Sequence, residues 1–139
     1  MAGRLLGLDV GRRRVGAALS DPSGLLASPL AVLEVRSSTG LLDQIVRWIE
    51  QHGVARIVVG LPLLLDGNEG EESAYVRALV ERLRERVDVP VELWDERLST
   101  VAAERALLES GMRRAKRRQR RDAVAAALLL QSYLDAQRR

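Results

Sequence analysis

The chain of 139 residues has no cysteine, no phenylalanine, one histidine (His52) and one lysine (Lys116). Without thiols there is no disulfide framework and no cysteine nucleophile, and one imidazole cannot build a Cys/His zinc site. A Ser-His-Asp hydrolase would have to use His52 as its base. That residue stands beside Gly53 at a predicted helix end, where a cap or solvated role suits it. Aromatics are 3% of the chain, two Trp and two Tyr, which argues against a base-stacking sheet or a multi-base OB-fold platform. No apolar run approaches the roughly 18 residues that span a bilayer; Ala123–Leu130 is only eight long. The opening MAGRLLGLDVGRRR lacks a signal-peptide layout. Absence of cysteine agrees with a reducing compartment, so a cytoplasmic location with no membrane partner is expected.

What is present is an uneven charge distribution. Lys and Arg number 22 against 19 Asp and Glu, a formal net charge of +3. From Met112 to Arg121, MRRAKRRQRR, seven of ten residues are basic and none is acidic. The remainder, 15 basic against 19 acidic, is slightly negative. A weakly acidic body with one concentrated basic patch points to an anionic partner. Arginine supplies bidentate phosphate contacts without a sequence code of its own.

Length and a 47% hydrophobic content fit a single domain over residues 1–139 with one sizeable core. Leu5–Val10 reads as a buried strand, and Val15–Ser20 as its hairpin partner across an Arg12-Arg13-Arg14 tip. Asp21-Pro22-Ser23-Gly24 is turn chemistry, and Leu30–Val35 a third strand. Leu42, Ile45, Val46 and Ile49 follow helical spacing after Ser37-Ser38-Thr39, with Gly53 as the stop. Ile57–Gly60 is a β-branched strand, 62–70 a loop, and Val76, Leu79, Val80, Leu83 and Val87 mark a second helix. Val91–Trp94 completes five strands. Ser99 or Thr100 can cap a helix ending near Gly111, and Asp122 opens a last helix to about Ala136. The pattern is α/β, a five-stranded mixed sheet flanked by helices.

Three acidic positions stand out. Asp9 lies inside an apolar strand, where a carboxylate is costly unless paired or metal-bound, or else it serves the turn at Gly11. Asp95-Glu96 follows the strand VELW, and alternation sends the two to opposite faces. Asp122 joins the arginine run to the apolar helix, as an N-cap or as a partner for the arginines. Three carboxylates at the edges of core elements, with no thiol and hardly an imidazole, suit hard Mg²⁺ or Mn²⁺. Two such ions about 3.5–4 Å apart activate water and stabilise the leaving oxygen in phosphodiester hydrolysis.

These residues also carry a resemblance. Gly7-Leu8-Asp9-Val10-Gly11, continuing through Arg14-Val15-Gly16 to Ser20-Asp21, resembles the opening motif of the YqgF/RuvX family. Val59-Gly60-Leu61-Pro62 with Asp66-Gly67, then Asp95-Glu96-Arg97-Leu98-Ser99-Thr100, and finally Asp122 with Ala125-Ala126 and Leu130-Gln131-Ser132-Tyr133-Leu134, follow in family order over nearly the whole chain. The resemblance implies an RNase H-like fold related to the RuvC resolvases. It further implies a metal-dependent nuclease associated with maturing the 5′ end of pre-16S ribosomal RNA. It puts the acidic triad on Asp9, Glu96 and Asp122, holding two Mg²⁺ or Mn²⁺ ions, with Asp95 as a neighbour. One departure is Arg121, where the family usually has an aliphatic residue. A guanidinium there favours the ionised carboxylate and competes with metal for it.

Nucleic acid is the expected partner, either pre-16S rRNA or branched DNA, with the protein a monomer or homodimer. Arg14 and Arg97 are candidates to touch the phosphate, and Arg113, Arg114, Lys116, Arg117 and Arg118 to hold the backbone. A non-catalytic RNA-binding or ribosome-assembly factor on the same fold is the alternative of a different class. Leu63-Leu64-Leu65 in a glycine-rich loop implies either burial or a partner.

Overall fold

The computed structural model describes residues 3–98 and 114–138, with the backbone alone for 114–121. Short runs of small and branched apolar residues make β1 (Arg4–Val10), β2 (Arg14–Ser20) and β3 (Ala27–Glu34) an antiparallel meander. β4 (Val54–Leu61) then pairs parallel to β1, and β5 (Val91–Asp95) parallel to β4. The sheet order is β3-β2-β1-β4-β5, the mixed α/β arrangement that the sequence predicts.

Strand alternation divides the core in two. Leu6 and Leu8 of β1 face one side with Val15, Ala17, Ile57 and Val59, against α1 (Ser38–His52) and α2 (Glu71–Arg86). Leu5, Ala18 and Val58 face the other side, against Ala126, Leu130, Tyr133 and Leu134 of α3 (Arg114–Gln137). The punctuation of α1 is as its sequence demands. Ser37 caps it through Gly40 N–H at 3.0 Å, and Gly53 ends it in the left-handed region (φ 62°), its N–H donating to Ile49 O. Asp21 closes the β2–β3 turn by accepting N–H donors from Leu25 and Leu26, both at 2.8 Å. Those hydrogen bonds and the Ser23 hydroxyl hold its carboxyl well below the usual range.

The last helix corrects an expectation. Asp122 does not open it; the helix is already formed at Arg114 and passes through the basic segment. Arginine, lysine, glutamine and alanine are good helix formers, and no glycine or proline interrupts 114–137. The predicted helix from Ser99 or Thr100 lies outside the described residues. Among those described, no helix is long and apolar enough to cross a membrane.

The far half of α3 is clamped across the sheet. Gln131 accepts from Ala27 N–H and donates to Leu25 O, and Trp94 Nε1–H donates to Ser132 Oγ at 2.7 Å. The Trp94 and Tyr133 rings meet edge to face, centroids 5.2 Å apart. The Tyr133 hydroxyl donates to Glu92, which also pairs with Arg56 at 2.7 Å.

Candidate active site

Three strands that run the same way, β1, β4 and β5, end together, and a cleft of about 650 Å³ opens over those ends. Such a position outside the carboxyl ends of parallel strands is where open α/β sheets place their ligands. Asp9, Glu96 and Asp122 all line it, although they are separated by most of the chain. So do Arg12, Arg13 and Arg14 of the β1–β2 tip, together with Pro62 and Glu72.

Each carboxylate arrives by a different local cause. Asp9 is the sixth residue of β1, only 6% exposed, on the α3 side of the sheet with Leu5 and Gly7. It is therefore a strand residue, not part of the turn at Gly11. Its partner across the β1–β2 ladder is Gly16. A Cβ on Gly16 would stand 2.0 Å from the backbone oxygen of Asp122. The missing side chain is what lets α3 lie against β2 at that point and bring Asp122 to the cleft. Gly7 works alike further along, where a Cβ would meet Leu130 Cβ at 2.8 Å.

Glu96 reaches the cleft because β5 ends at Asp95 and a 3₁₀ turn (Glu96–Leu98) begins. Its side chain lies across Gly60 of β4, where a Cβ would be 2.6 Å from Oε1. Burial, and then the neighbouring Asp95 charge, push the Glu96 carboxyl above its ordinary value. Asp95 moves the other way. Arg97 forks onto it with Nη2 at 2.9 Å and its own backbone N–H at 2.9 Å, which lowers the Asp95 carboxyl. Of the adjacent pair, one carboxylate is claimed by a guanidinium and the other lines the cleft.

Arg14 Nε–H donates to Asp122 Oδ2 at 3.0 Å, a part-buried ion pair inside the cleft. Arg14 thus sets a guanidinium against Asp122; the side chain of Arg121, singled out in the sequence, lies outside those described. None of the three carboxylates is without a partner. They share the cleft, although among the described residues no group of three or more His, Asp or Glu side chains stands as a ready-made metal site. The donor set itself, carboxylate oxygens alone, has the chemistry of a hard-cation site.

Of the other candidates, Arg14 lines the cleft and Arg97 does not. Arg12 pairs with Glu72 at 2.9 Å and lies over the Tyr75 ring, 4.6 Å from its centroid. Arg114, Lys116, Arg117 and Arg118 fall on the first turns of α3, and Arg113 lies outside the described residues. Sequence reasoning missed Gly16 and Gly60 as determinants of the site. The available signal was a glycine inside a strand pattern, which marks close backbone approach.

The fold has close counterparts. The chain superposes on the RuvC of T. thermophilus, solved in complex with a Holliday junction substrate, with a TM-score of 0.63 at 13% identity, covering 98% of this chain and 96% of that one. The architecture is the RNase H-like fold of the RuvC-like resolvases. Sequence gives the narrower class. The chain belongs to the RuvX family, whose model, described as Holliday junction resolvase, matches residues 3–136. A relative from Symbiobacterium thermophilum is 49% identical over 136 residues, covering 96% of this chain and 92% of its own. Another from Roseiflexus sp. (strain RS-1) is 44% identical over 136 residues, covering 98% and 96%. Both carry the name "Putative pre-16S rRNA nuclease".

Proposed function

We propose that the protein is a Mg²⁺- or Mn²⁺-dependent endonuclease that hydrolyses phosphodiester bonds in structured nucleic acid, with the 5′ leader of pre-16S rRNA as substrate. The observation that carries this reading is the meeting of Asp9, Glu96 and Asp122 in one cleft beside an arginine tip. The names of the curated relatives support the choice of RNA.

Asp9, Glu96 and Asp122 would hold the cations. Bound there, a divalent ion would supply activation of water and neutralisation of the leaving oxygen. The protein's own residues set the rest. Asp9, buried in the central strand, presents its carboxyl from backbone held by the ladder to Gly16. Glu96, whose ionised form burial disfavours, gains from any cation that enters. Asp122 must be shared with, or released by, Arg14. The planar guanidinium fork is suited to pass from a carboxylate to a phosphate oxygen, so Arg14 would orient the strand as it enters.

The test is cleavage of an RNA carrying the 5′ leader by wild type and Asp9→Asn, in Mg²⁺ and in Mn²⁺, with binding measured alongside. Asp9→Asn abolishes cleavage and retains binding; unchanged cleavage in metal-replete buffer would sink the site assignment. A second reading, branched DNA, is favoured by the description of the family model. Side-by-side digestion of the RNA and a four-way DNA junction separates the two.

A further inference from the structure

The three consecutive arginines of the β1–β2 tip all line the cleft, yet the structure uses them differently. Arg12 is claimed by α2: its Nε–H donates to Glu72 Oε1 at 2.9 Å, and its guanidinium lies 4.6 Å from the Tyr75 ring centroid. Arg14 is claimed by Asp122 at 3.0 Å. Arg13 is exposed, and among the described residues its side chain has no acidic partner, hydrogen bond or ring contact.

The backbone that carries Arg13 is held in place. Gly11 N–H donates to Arg14 O at 2.9 Å and closes the tip, and Val35 N–H donates to Arg13 O at 2.8 Å, tying the tip to the end of β3. The side chains on either side are anchored to α2 and α3. An unpaired guanidinium on a preorganised turn gives up only its own rotamer freedom when it is bound.

Charge at the cleft indicates what that guanidinium does. The lining carries four carboxylates, Asp9, Glu72, Glu96 and Asp122, against three guanidiniums. Two of each are spent in the pairs with Glu72 and Asp122, and the cation left over among the described lining residues is Arg13. A phosphodiester strand is repelled by so many carboxylates unless a fixed cation meets it. We propose that Arg13 is the tip's standing phosphate contact, holding a phosphodiester of the strand bound over Asp9, Glu96 and Asp122 by a two-pronged guanidinium grip. This rests on the nuclease reading. Arg14 must first leave Asp122 before it can touch a phosphate, whereas Arg13 gives up no partner.

The experiment titrates the non-cleaving Asp9→Asn protein with a 5′-leader RNA stem–loop and with a four-way DNA junction, in KCl from roughly 50 to 200 mM. Adding Arg13→Gln makes the plot of log Kobs against log salt shallower by about 0.7–0.9, the share of one phosphate. It also weakens binding about ten-fold. Arg13→Lys keeps the slope, because the charge stays, and recovers part of the affinity, because the fork is lost. The control is Arg12→Gln with Glu72→Gln, which removes another exposed arginine together with its partner and leaves the slope at the parent's value. Thermal midpoints of the Arg13 variants stay at the parent's, since the side chain is exposed. A loss of slope on the RNA, on the junction or on both supports the contact and says whose phosphate it holds. An unchanged slope on both, or an equal loss from the paired control, overturns it; wild-type cleavage scored alongside then leaves the nuclease reading standing. If the unmutated protein neither binds nor cuts either nucleic acid, both fall together.

Discussion

Gly16→Ala is the sharpest test of how the site is assembled. The new Cβ would stand 2.0 Å from the Asp122 carbonyl oxygen and 2.5 Å from its carbon, both backbone atoms. Real Cβ contacts do not fall below 3.0 Å, so β2 and α3 must separate by at least about 1 Å at this crossing. No side chain can yield in their place. Overpacking of this kind costs about 1–3 kcal/mol, which in a domain of this size lowers the thermal midpoint by roughly 3–12 °C. The displacement falls on the residue that carries a candidate carboxylate, and a misplacement of about 1 Å at a reacting centre costs on the order of 10²-fold in rate. Circular dichroism melts and single-turnover cleavage measure the two effects separately. Gly24→Ala is the control, since Gly24 has φ 73° and nothing within 4 Å. Its strain, about 1–2 kcal/mol, destabilises to a similar extent far from the cleft and leaves cleavage intact. A Gly16→Ala protein that melts with wild type, or one that cuts at the wild-type rate, would refute the claim that this glycine positions Asp122.

Gly60→Ala makes the complementary case. The new Cβ meets Glu96 Oε1 at 2.6 Å, Glu96 Cγ at 2.9 Å and Leu129 Cδ2 at 3.0 Å, all side-chain atoms, so the melt changes by less than about 1 kcal/mol equivalent while cleavage falls about ten-fold or more as Glu96 is turned aside; unaltered cleavage would remove Glu96 from the site. Tyr133 offers a pH test. Burial first, and the Glu92 carboxylate second, raise its hydroxyl from 10.0 to about 12, so the neutral phenol is favoured by folding. The stability it contributes is complete below the unfolded value near 10 and is lost as pH rises through about 12. Tyrosinate absorbance in a Tyr75→Phe background should show this late ionisation, and a transition near the ordinary value would refute it.

The strands and helices of the first ninety-five residues were legible because each signal was local. A short apolar run broken by Gly11 gave β1 and the hairpin spacing gave β2, Ser37 and Gly53 bracketed α1, and the i, i+3, i+4, i+7 leucines and valines gave the buried face of α2. One reading failed where locality fails. Asp122 looked like an N-cap because Asp suits that position, yet the preceding arginines are themselves helix formers and extend the helix upstream. Alternation sent Asp95 and Glu96 to opposite faces, and of the two only Glu96 lines the cleft, although the strand stops at Asp95 and a 3₁₀ turn carries Glu96 there. The glycines of the site were visible only as weak strand positions, because what they permit is close approach by residues distant in sequence, Asp122 at Gly16 and Glu96 at Gly60.

That longer α3 changes what the basic segment can do. As a loop ahead of an N-cap, the arginines would have had no fixed distance from Asp122. As helix, Arg114 and Asp122 lie on one rod, eight residues apart, about 12 Å along its axis. The crossing at Gly16 fixes that rod relative to β1 and therefore to Asp9. One small residue in β2 thus sets two spacings together: carboxylate to carboxylate within the cleft, and basic turns to cleft along the helix. A phosphate backbone bound by those turns would enter the site at a distance dictated by helical rise, so a displaced Asp122 and a displaced basic segment are one structural event.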